Sequence, residues 1–258
     1  MTLPFFKYEA TGNDFVIIDN RDINFLPDKN QIAKMCDRKF GIGADGLILI
    51  EKHKTLDFNL IYYNSDGSAS LCGNGSRAAV KMTTSLGITG SKTKFNAYDG
   101  MHEAELLHNG HVRLKMNNVD LIQKIEKDFF IHTGSPHFIR FVDNVKKFPV
   151  FEEGKKIRYS NAYQPQGTNA NFVELLNDNS IFVRTYERGV ENETLSCGTG
   201  VTAAAIAASY KNYKSPVSVK TLGGELWVEF SVAPNGSFTD VYLVGPAKKV
   251  FEGMWTLE

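Results

Sequence analysis

Short apolar stretches bounded by glycine, asparagine, aspartate and proline dominate the chain, and few of them are long enough for a helix. Phe5 to Asn20 reads as a strand that enters a Thr11-Gly12-Asn13 turn and leaves as a buried strand. Leu47–Glu51, Phe58–Asn64 and Ile181–Tyr186 read as further strands. Gln31 to Lys39 has helical spacing. Val201 to Ala208 is apolar nearly all round, which predicts a helix enclosed by protein on every side. Asn109-Gly110 and Asn235-Gly236 lie between apolar runs and predict hairpin turns. Gly245-Pro246 breaks the chain, and Val250–Leu257 reads as a last strand that crosses back to the first half. The simplest architecture is α/β of the α+β type: two pseudo-symmetric domains, each a mostly antiparallel curled sheet around a central buried helix.

The reason for expecting two domains is that landmarks recur in order. Cys72-Gly73-Asn74-Gly75 and Cys197-Gly198-Thr199-Gly200 each open an alanine-rich segment, 125 residues apart, and Thr11-Gly12-Asn13-Asp14-Phe15 is answered by Thr133-Gly134-Ser135-Pro136-His137-Phe138. Gly100 is answered by Gly224 and the first Asn-Gly turn by the second. The chain reads as two copies of one unit of about 120 residues. The expected division is 1–117 plus 248–258, carrying Cys72, and 118–247, carrying Cys197.

Composition narrows the partners. At 258 residues the chain can form two ordinary cores. Its 29 basic and 29 acidic side chains cancel without a run of either sign, so nucleic acid and anionic membrane are not the expected partners. Neither a leader-like start nor an apolar run of spanning length is visible, and the expectation is a soluble cytoplasmic protein. Three widely spaced cysteines fit a reducing compartment rather than a disulfide framework.

The chemistry sits in the repeated cysteine turn. Exposed N–H groups at a helix N-terminus draw a thiol pKa from about 8.5 toward neutrality and also seat a carboxylate. Two such turns suggest a pair of acid/base groups around one anionic substrate, of the kind that removes an α-proton on one face of a carbon and returns one on the other. Each sulfur would then approach the carbon to about 3–3.5 Å. The glycine-rich Gly41–Gly46 loop lacks a following Walker lysine and runs into a strand, which argues against a phosphate site. His108 and His111 flank a hairpin turn without a third ligand, so no metal site is expected. Cys36, in a helical stretch, reads as a packing or surface residue.

Gly12-Asn13-Asp14-Phe15, Asn64-Ser65-Asp66-Gly67-Ser68 leading to Cys72-Gly73-Asn74-Gly75-Ser76-Arg77, and Tyr186-Glu187-Arg188-Gly189 leading to Cys197-Gly198-Thr199-Gly200 together resemble the diaminopimelate epimerases over essentially the whole chain. The resemblance implies a pyridoxal-independent isomerase, with no cofactor, that interconverts LL- and meso-diaminopimelate in lysine and cell-wall precursor biosynthesis. It implies catalytic thiols at Cys72 and Cys197, assisted by His137 and Glu187. Gly73, Asn74, Gly198 and Thr199 match the seat of the reacting carboxylate. Asn13, Asn64, Asn169, Glu187 and Arg188 match positions that grip the substrate's amines and distal carboxylate. Three departures bear on these contacts: a Ser68–Cys72 stretch one residue short, Ser135 where asparagine often precedes Pro-His, and Gly46 at a site that is glutamine in some members. The alternatives are another racemase of the same fold, for proline, hydroxyproline or histidine, and a non-catalytic thiol or ligand-binding protein. The expected partner is a small amino acid, and a homodimer is the candidate assembly.

Overall fold

The computed structural model describes residues 1–120 and 122–257. The chain forms two compact units, Met1–Leu114 with Gly245–Glu258, and Lys115–Val244.

The first unit begins with β1 (Thr2–Ala10) and β2 (Asn13–Asp19), then α1 (Lys29–Cys36), β3 (Gly46–Glu51), β4 (Phe58–Asn64), α2 (Gly73–Ser85), β5 (Lys92–Ala97), β6 (Gly100–Leu106) and β7 (Val112–Lys115). The second runs through β8 (Ile122–Ile125), β9 (Asp128–His132), β10 (Pro136–Phe141), α3 (Val150–Arg158), β11 (Asn169–Leu175), β12 (Ser180–Glu187), β13 (Asn192–Thr194), α4 (Gly198–Ser209), β14 (Val217–Thr221), β15 (Gly224–Val232) and β16 (Phe238–Gly245). The last strand, β17 (Lys248–Thr256), returns to the first unit and pairs antiparallel with β1.

Pairing repeats in the two units. In the first, β1–β2 is antiparallel, β2–β3 parallel, β3–β4 antiparallel, β4–β5 parallel, and β5–β6 and β6–β7 antiparallel. In the second, β9–β10 is antiparallel, β10–β11 parallel, β11–β12 antiparallel, β12–β14 parallel, and β14–β15 and β15–β16 antiparallel. The helices fall at matching points: α1 and α3 span the first parallel crossover, α2 and α4 the second. A parallel pair needs such a crossover because its strands cannot be joined by a tight turn. The same mixed α/β plan is thus built twice, as the recurring landmarks predict.

The buried helices follow from residue size and polarity. Every residue from Val201 to Ala208 in α4 is 0% exposed, and the helix contacts β9, β10, β11, β12, β14 and β15. Its alanines let strands approach on all sides, around a core that includes Ile139, Val173, Val183, Val219 and Leu243. Through Ala78, Ala79, Val80 and Met82, α2 is buried against β1, β2, β3, β4, β6 and β17.

Two local outcomes refine the expectations. Helix α1 stops at Cys36 rather than continuing to Lys39. Asp37 leaves the helical region (φ −64°, ψ 126°), and its carboxylate accepts the Lys39 and Phe40 N–H groups at 2.7 Å each, which stabilises a turn in place of another helical repeat. Both hairpins form with glycine alone left-handed, Gly110 at φ 82° and Gly236 at φ 84°. In each, the asparagine side chain accepts the N–H two residues on, His111 at 3.0 Å and Ser237 at 3.1 Å.

Candidate active site

Each cysteine of the repeated turn is the N-cap of a buried helix. Cys72 has extended dihedrals (φ −130°, ψ 112°), as does Cys197 (φ −115°, ψ 109°), and the Cys72 sulfur caps the first turn of α2. The second glycine of the turn allows the close approach. A Cβ on Gly75 would meet Ile48 Cδ1 at 3.2 Å, and one on Gly200 would meet Asn171 Oδ1 at 2.4 Å.

In the first unit, the Gly75 N–H donates to Cys72 Sγ at 3.4 Å, and the thiol donates to Asn13 Oδ1 at 3.6 Å. Asn74 Nδ2 donates to the same Asn13 oxygen at 3.4 Å, so Asn13, Cys72 and Asn74 form one cluster. Thr11 (φ 50°) and Gly12 (φ 85°) make the turn that delivers Asn13. The Asn13 amide in turn donates to Asp45, which an ionic network fixes: Arg38 bonds Asp45 Oδ1 at 2.8 Å and grips both oxygens of Asp14, while Lys7 pairs with Asp14 at 2.7 Å. Burial would raise the Asp14 pKa, but the hydrogen bonds and charges of Arg38 and Lys7 prevail and hold it at about 2. Lys7, Arg38 and Asp45 went unnoticed in the sequence because charged residues on strands and in loops ordinarily face solvent.

Asn64 bonds within its own loop. Its amide donates to the Ser68 carbonyl at 3.3 Å, Ser68 Oγ at 2.9 Å and Ser70 Oγ at 3.1 Å. Gly46 pairs with Asn64 across β3 and β4, and a Cβ there would lie 2.4 Å from Tyr62 Cε2, so the Tyr62 ring excludes any larger residue. Cys36 stands apart from the cluster: it is 4% exposed in the core beneath α1, and burial pushes its thiol up to about 11.

The second unit surrounds its cysteine differently. Cys197 Sγ lies 3.6 Å from Thr199 Oγ1, which lies 2.9 Å from His137 Nε2. Asn171 Nδ2 contacts both His137 Nδ1 at 3.1 Å and the Phe138 carbonyl at 2.9 Å. A carbonyl only accepts, so the Asn171 amide group donates; His137 Nδ1 is then the acceptor and Nε2 carries the proton. That N–H donates to Thr199, whose hydroxyl hydrogen is left to point at the sulfur. His137 is 0% exposed, and burial, with the His132 and Arg188 charges, lowers its pKa to about 3. It is a neutral donor at any working pH, not an imidazolium. Thr133 Oγ1 donates to the Thr199 carbonyl at 2.8 Å and steadies the turn. Sequence reading missed Asn171 and Thr133, although Asn171 sits two residues beyond Asn169 and so on the same face of the strand.

The remaining candidates gather at the C-terminal end of β12. Asn169 Oδ1 accepts the Arg188 N–H at 2.8 Å, and its amide donates to Ser135 Oγ at 3.0 Å and the Pro136 carbonyl at 2.9 Å. Ser135 therefore keeps a polar contact at the position where asparagine was expected. The half-buried Arg188 donates from Nη1 to the Gln166 carbonyl at 3.1 Å, and Glu187 Oε2 accepts from Thr194 Oγ1 at 2.9 Å.

This arrangement can do acid/base chemistry with two thiols, each supplied with N–H groups at a helix start that can seat an anion. The family model described as "Diaminopimelate epimerase" matches residues 5–122 and 129–250. The chain belongs to the diaminopimelate epimerase family. A diaminopimelate epimerase of Flavobacterium psychrophilum is 48% identical, with 97% of this chain and 99% of the relative covered; one of Aquifex aeolicus is 42% identical, with 97% of each covered. Among solved structures, a Bacillus anthracis phenazine biosynthesis protein of the PhzF family superposes with a TM-score of 0.76 at 14% identity over the whole of both chains. A hydroxyproline epimerase from Agrobacterium vitis gives 0.70 at 13% identity, covering 98% of this chain and 92% of that one. At such identities these two show the fold that the family shares. Among the described residues no helix is long and apolar enough to cross a membrane.

Proposed function

We propose that the protein is a cofactor-independent isomerase that interconverts LL- and meso-diaminopimelate with Cys72 and Cys197 as its two acid/base groups. The observation that carries this reading is the duplication of one device, a cysteine capping a buried helix behind a glycine turn, within a chain whose family and near relatives are diaminopimelate epimerases. Inversion at a carbon needs a base on one face and an acid on the other, and one thiolate with one thiol supplies both. The N–H groups of Gly73, Asn74, Gly198 and Thr199 suit the reacting carboxylate and the charge that develops on it as the α-proton leaves.

The local geometry supports a set of residue roles. Asn13, held by Asp45, and the neutral His137, acting through Thr199, orient the two sulfurs. Arg188 suits a distal carboxylate and Glu187 an ammonium group, with Asn64 and Asn169 completing the polar contacts. A site with such groups discriminates against amino acids that leave them unpaired. A metabolic role in a cytoplasmic lysine pathway, and a homodimer, belong to the same proposal.

The test is chiral chromatography of purified protein incubated with single stereoisomers. LL- and meso-diaminopimelate should interconvert, whereas lysine, proline, hydroxyproline, histidine and DD-diaminopimelate should remain essentially unchanged. Efficient racemisation of proline or lysine would instead assign the site to another racemase of this fold.

A further inference from the structure

The turn that carries Arg188 is closed by a glutamate in a conformation that glutamate seldom adopts. Between β12 and β13, Glu191 has φ 56°, in the left-handed region, where a side chain is strained and glycine is the ordinary occupant. Such a residue persists only where its surroundings hold it, and here they do. Glu191 Oε1 accepts from Arg158 Nε at 3.0 Å and from the Gly189 N–H at 3.1 Å, while Oε2 accepts from the Tyr159 hydroxyl at 2.9 Å and the Tyr186 hydroxyl at 3.4 Å. The Glu191 N–H closes the turn on the Glu187 carbonyl at 2.8 Å. Burial would raise the Glu191 pKa, but the hydrogen bonds from Gly189, Tyr159 and Arg158 prevail and lower it, so an anion faces Arg158.

Arg158, the last residue of α3, also borders the segment that holds the Arg188 side chain. Its guanidinium fills the space over Gly167, where a Cβ would collide with Nη1, and the adjacent Gln166 carbonyl accepts from Arg188 Nη1 at 3.1 Å. Arg188 is thus braced on both sides: Asn169 and Gln166 hold its own N–H and side chain, and Glu191 holds the next N–H in the chain. Glu187 has a separate support in Thr194. Pairing of β12 with β13 ends at Glu187 and Asn192, so the ladder leaves residues 188–191 to be set by these side chains.

We propose that Glu191, anchored by Arg158, is a positioning residue for Arg188 and thereby sets how tightly the site holds the unreacting carboxylate of its substrate. The proposal rests on the reading of Arg188 as the distal-carboxylate grip and adds what fixes that grip in place. A guanidinium makes its two-pronged bond only from the correct distance and angle. A turn free to relax would therefore weaken recognition of the far end of the substrate and leave the cysteine turns as they are.

The test pairs two measurements on Glu191→Gly, which relieves the backbone strain but removes the carboxylate, and on Arg158→Met, which leaves that carboxylate without its anchor. Hydrogen exchange of the 187–194 peptide, read by mass spectrometry without substrate, should quicken in both. Glu191→Gln, which keeps an acceptor for the Gly189 N–H, should lie between them and the parent. Turnover of LL-diaminopimelate by Glu191→Gly and Arg158→Met should fall by about 10–100-fold in kcat/KM, chiefly through KM, while iodoacetamide alkylates Cys197 at the parent rate. In an Arg188→Ala background, Glu191→Gly should change kcat/KM by less than about threefold, since the group it positions is gone. A merely structural residue would add its full loss there. Parent-like exchange in both Glu191→Gly and Arg158→Met overturns the proposal, as does a fully additive loss beside Arg188→Ala. Exchange needs no turnover, so a parent protein inactive on diaminopimelate would sink the substrate reading alone, and the exchange result would still decide whether Glu191 fixes the turn.

Discussion

Gly200→Ala isolates the packing on which the Cys197 site depends. In a helix, alanine is ordinarily favoured over glycine by about 1 kcal/mol. Here the new methyl would lie 2.4 Å from Asn171 Oδ1 and 3.3 Å from His137 Cε1. An ordinary C···O separation is about 3.3 Å, so Asn171 must retreat by about 1 Å. That carries it away from Thr185 Oγ1 at 2.9 Å, His137 Nδ1 at 3.1 Å and the Phe138 carbonyl at 2.9 Å, all of them buried. One or two buried bonds lost at about 2–3 kcal/mol each, the upper part of the range for buried groups, outweigh the helical gain and leave a net loss of about 1–5 kcal/mol. The melting temperature should fall by roughly 3–15 °C. Misplacement of His137 and Thr199 by a similar distance should lower kcat/KM by about 100-fold. Gly75→Ala, at the matching place in the other turn, is the control: its methyl would meet the movable end of Ile48 at 3.2 Å, and a small change is expected. Thermal unfolding and turnover of both variants provide the readouts. A Gly200→Ala protein that melts and turns over like Gly75→Ala would refute the close-packing argument.

Acidification should expose two groups with different windows. The folded-state pKa of Asp14, about 2, lies below its unfolded value, so its stabilisation is present above about pH 4 and is lost as pH falls toward 2; Asp14→Asn should flatten that part of a stability-versus-pH curve. His137 stays neutral in the folded protein down to about 3 while the unfolded chain takes up a proton below about 6.5, so stability declines by up to about 1.4 kcal/mol per pH unit across that range, and His137→Gln should remove this slope. Cys72→Ala and Cys197→Ala should each abolish epimerisation with the melting curve retained; parent-like turnover by either would remove that thiol from the reaction. Arg188→Ala should lose most activity toward diaminopimelate by chiral chromatography, and retention of the parent's preference would place the distal carboxylate elsewhere.

Much of the fold was legible because period and turn residues agreed. Strand β4 spans Phe58–Asn64 as read from the sequence, and the Val201–Ala208 segment, apolar nearly all round, lies in a helix enclosed by strands, since no broad polar face is left to meet water. The end of α1 was not legible, because an Asp37 side chain that caps a turn looks like one more solvent-facing helix residue. At the candidate site, the cysteines and their glycines stood out by repetition. Their supports did not, because these come from distant strands. Asn171 reaches His137 only once β10 and β11 pair in parallel, and Asp45 reaches Asn13 only once β2 and β3 do. Arg77 lay inside a recognisable motif, yet burial of an arginine is set by the strands packed over the helix, not by its neighbours in sequence.

The central claim, that two thiols on opposite faces of one carbon exchange its proton, is tested most directly by the first turnovers in deuterated water. Pure LL-diaminopimelate is mixed with the parent protein, the reaction is stopped at low conversion, and the recovered substrate and the meso product are separated and weighed by mass spectrometry. In a two-base reaction the abstracted proton stays on one sulfur while the other, already exchanged with solvent, delivers deuterium. The product should therefore carry one deuterium at the inverted centre, and the recovered substrate almost none. Deuterium appearing in the recovered substrate as fast as in the product, or product formed without it, would contradict the account.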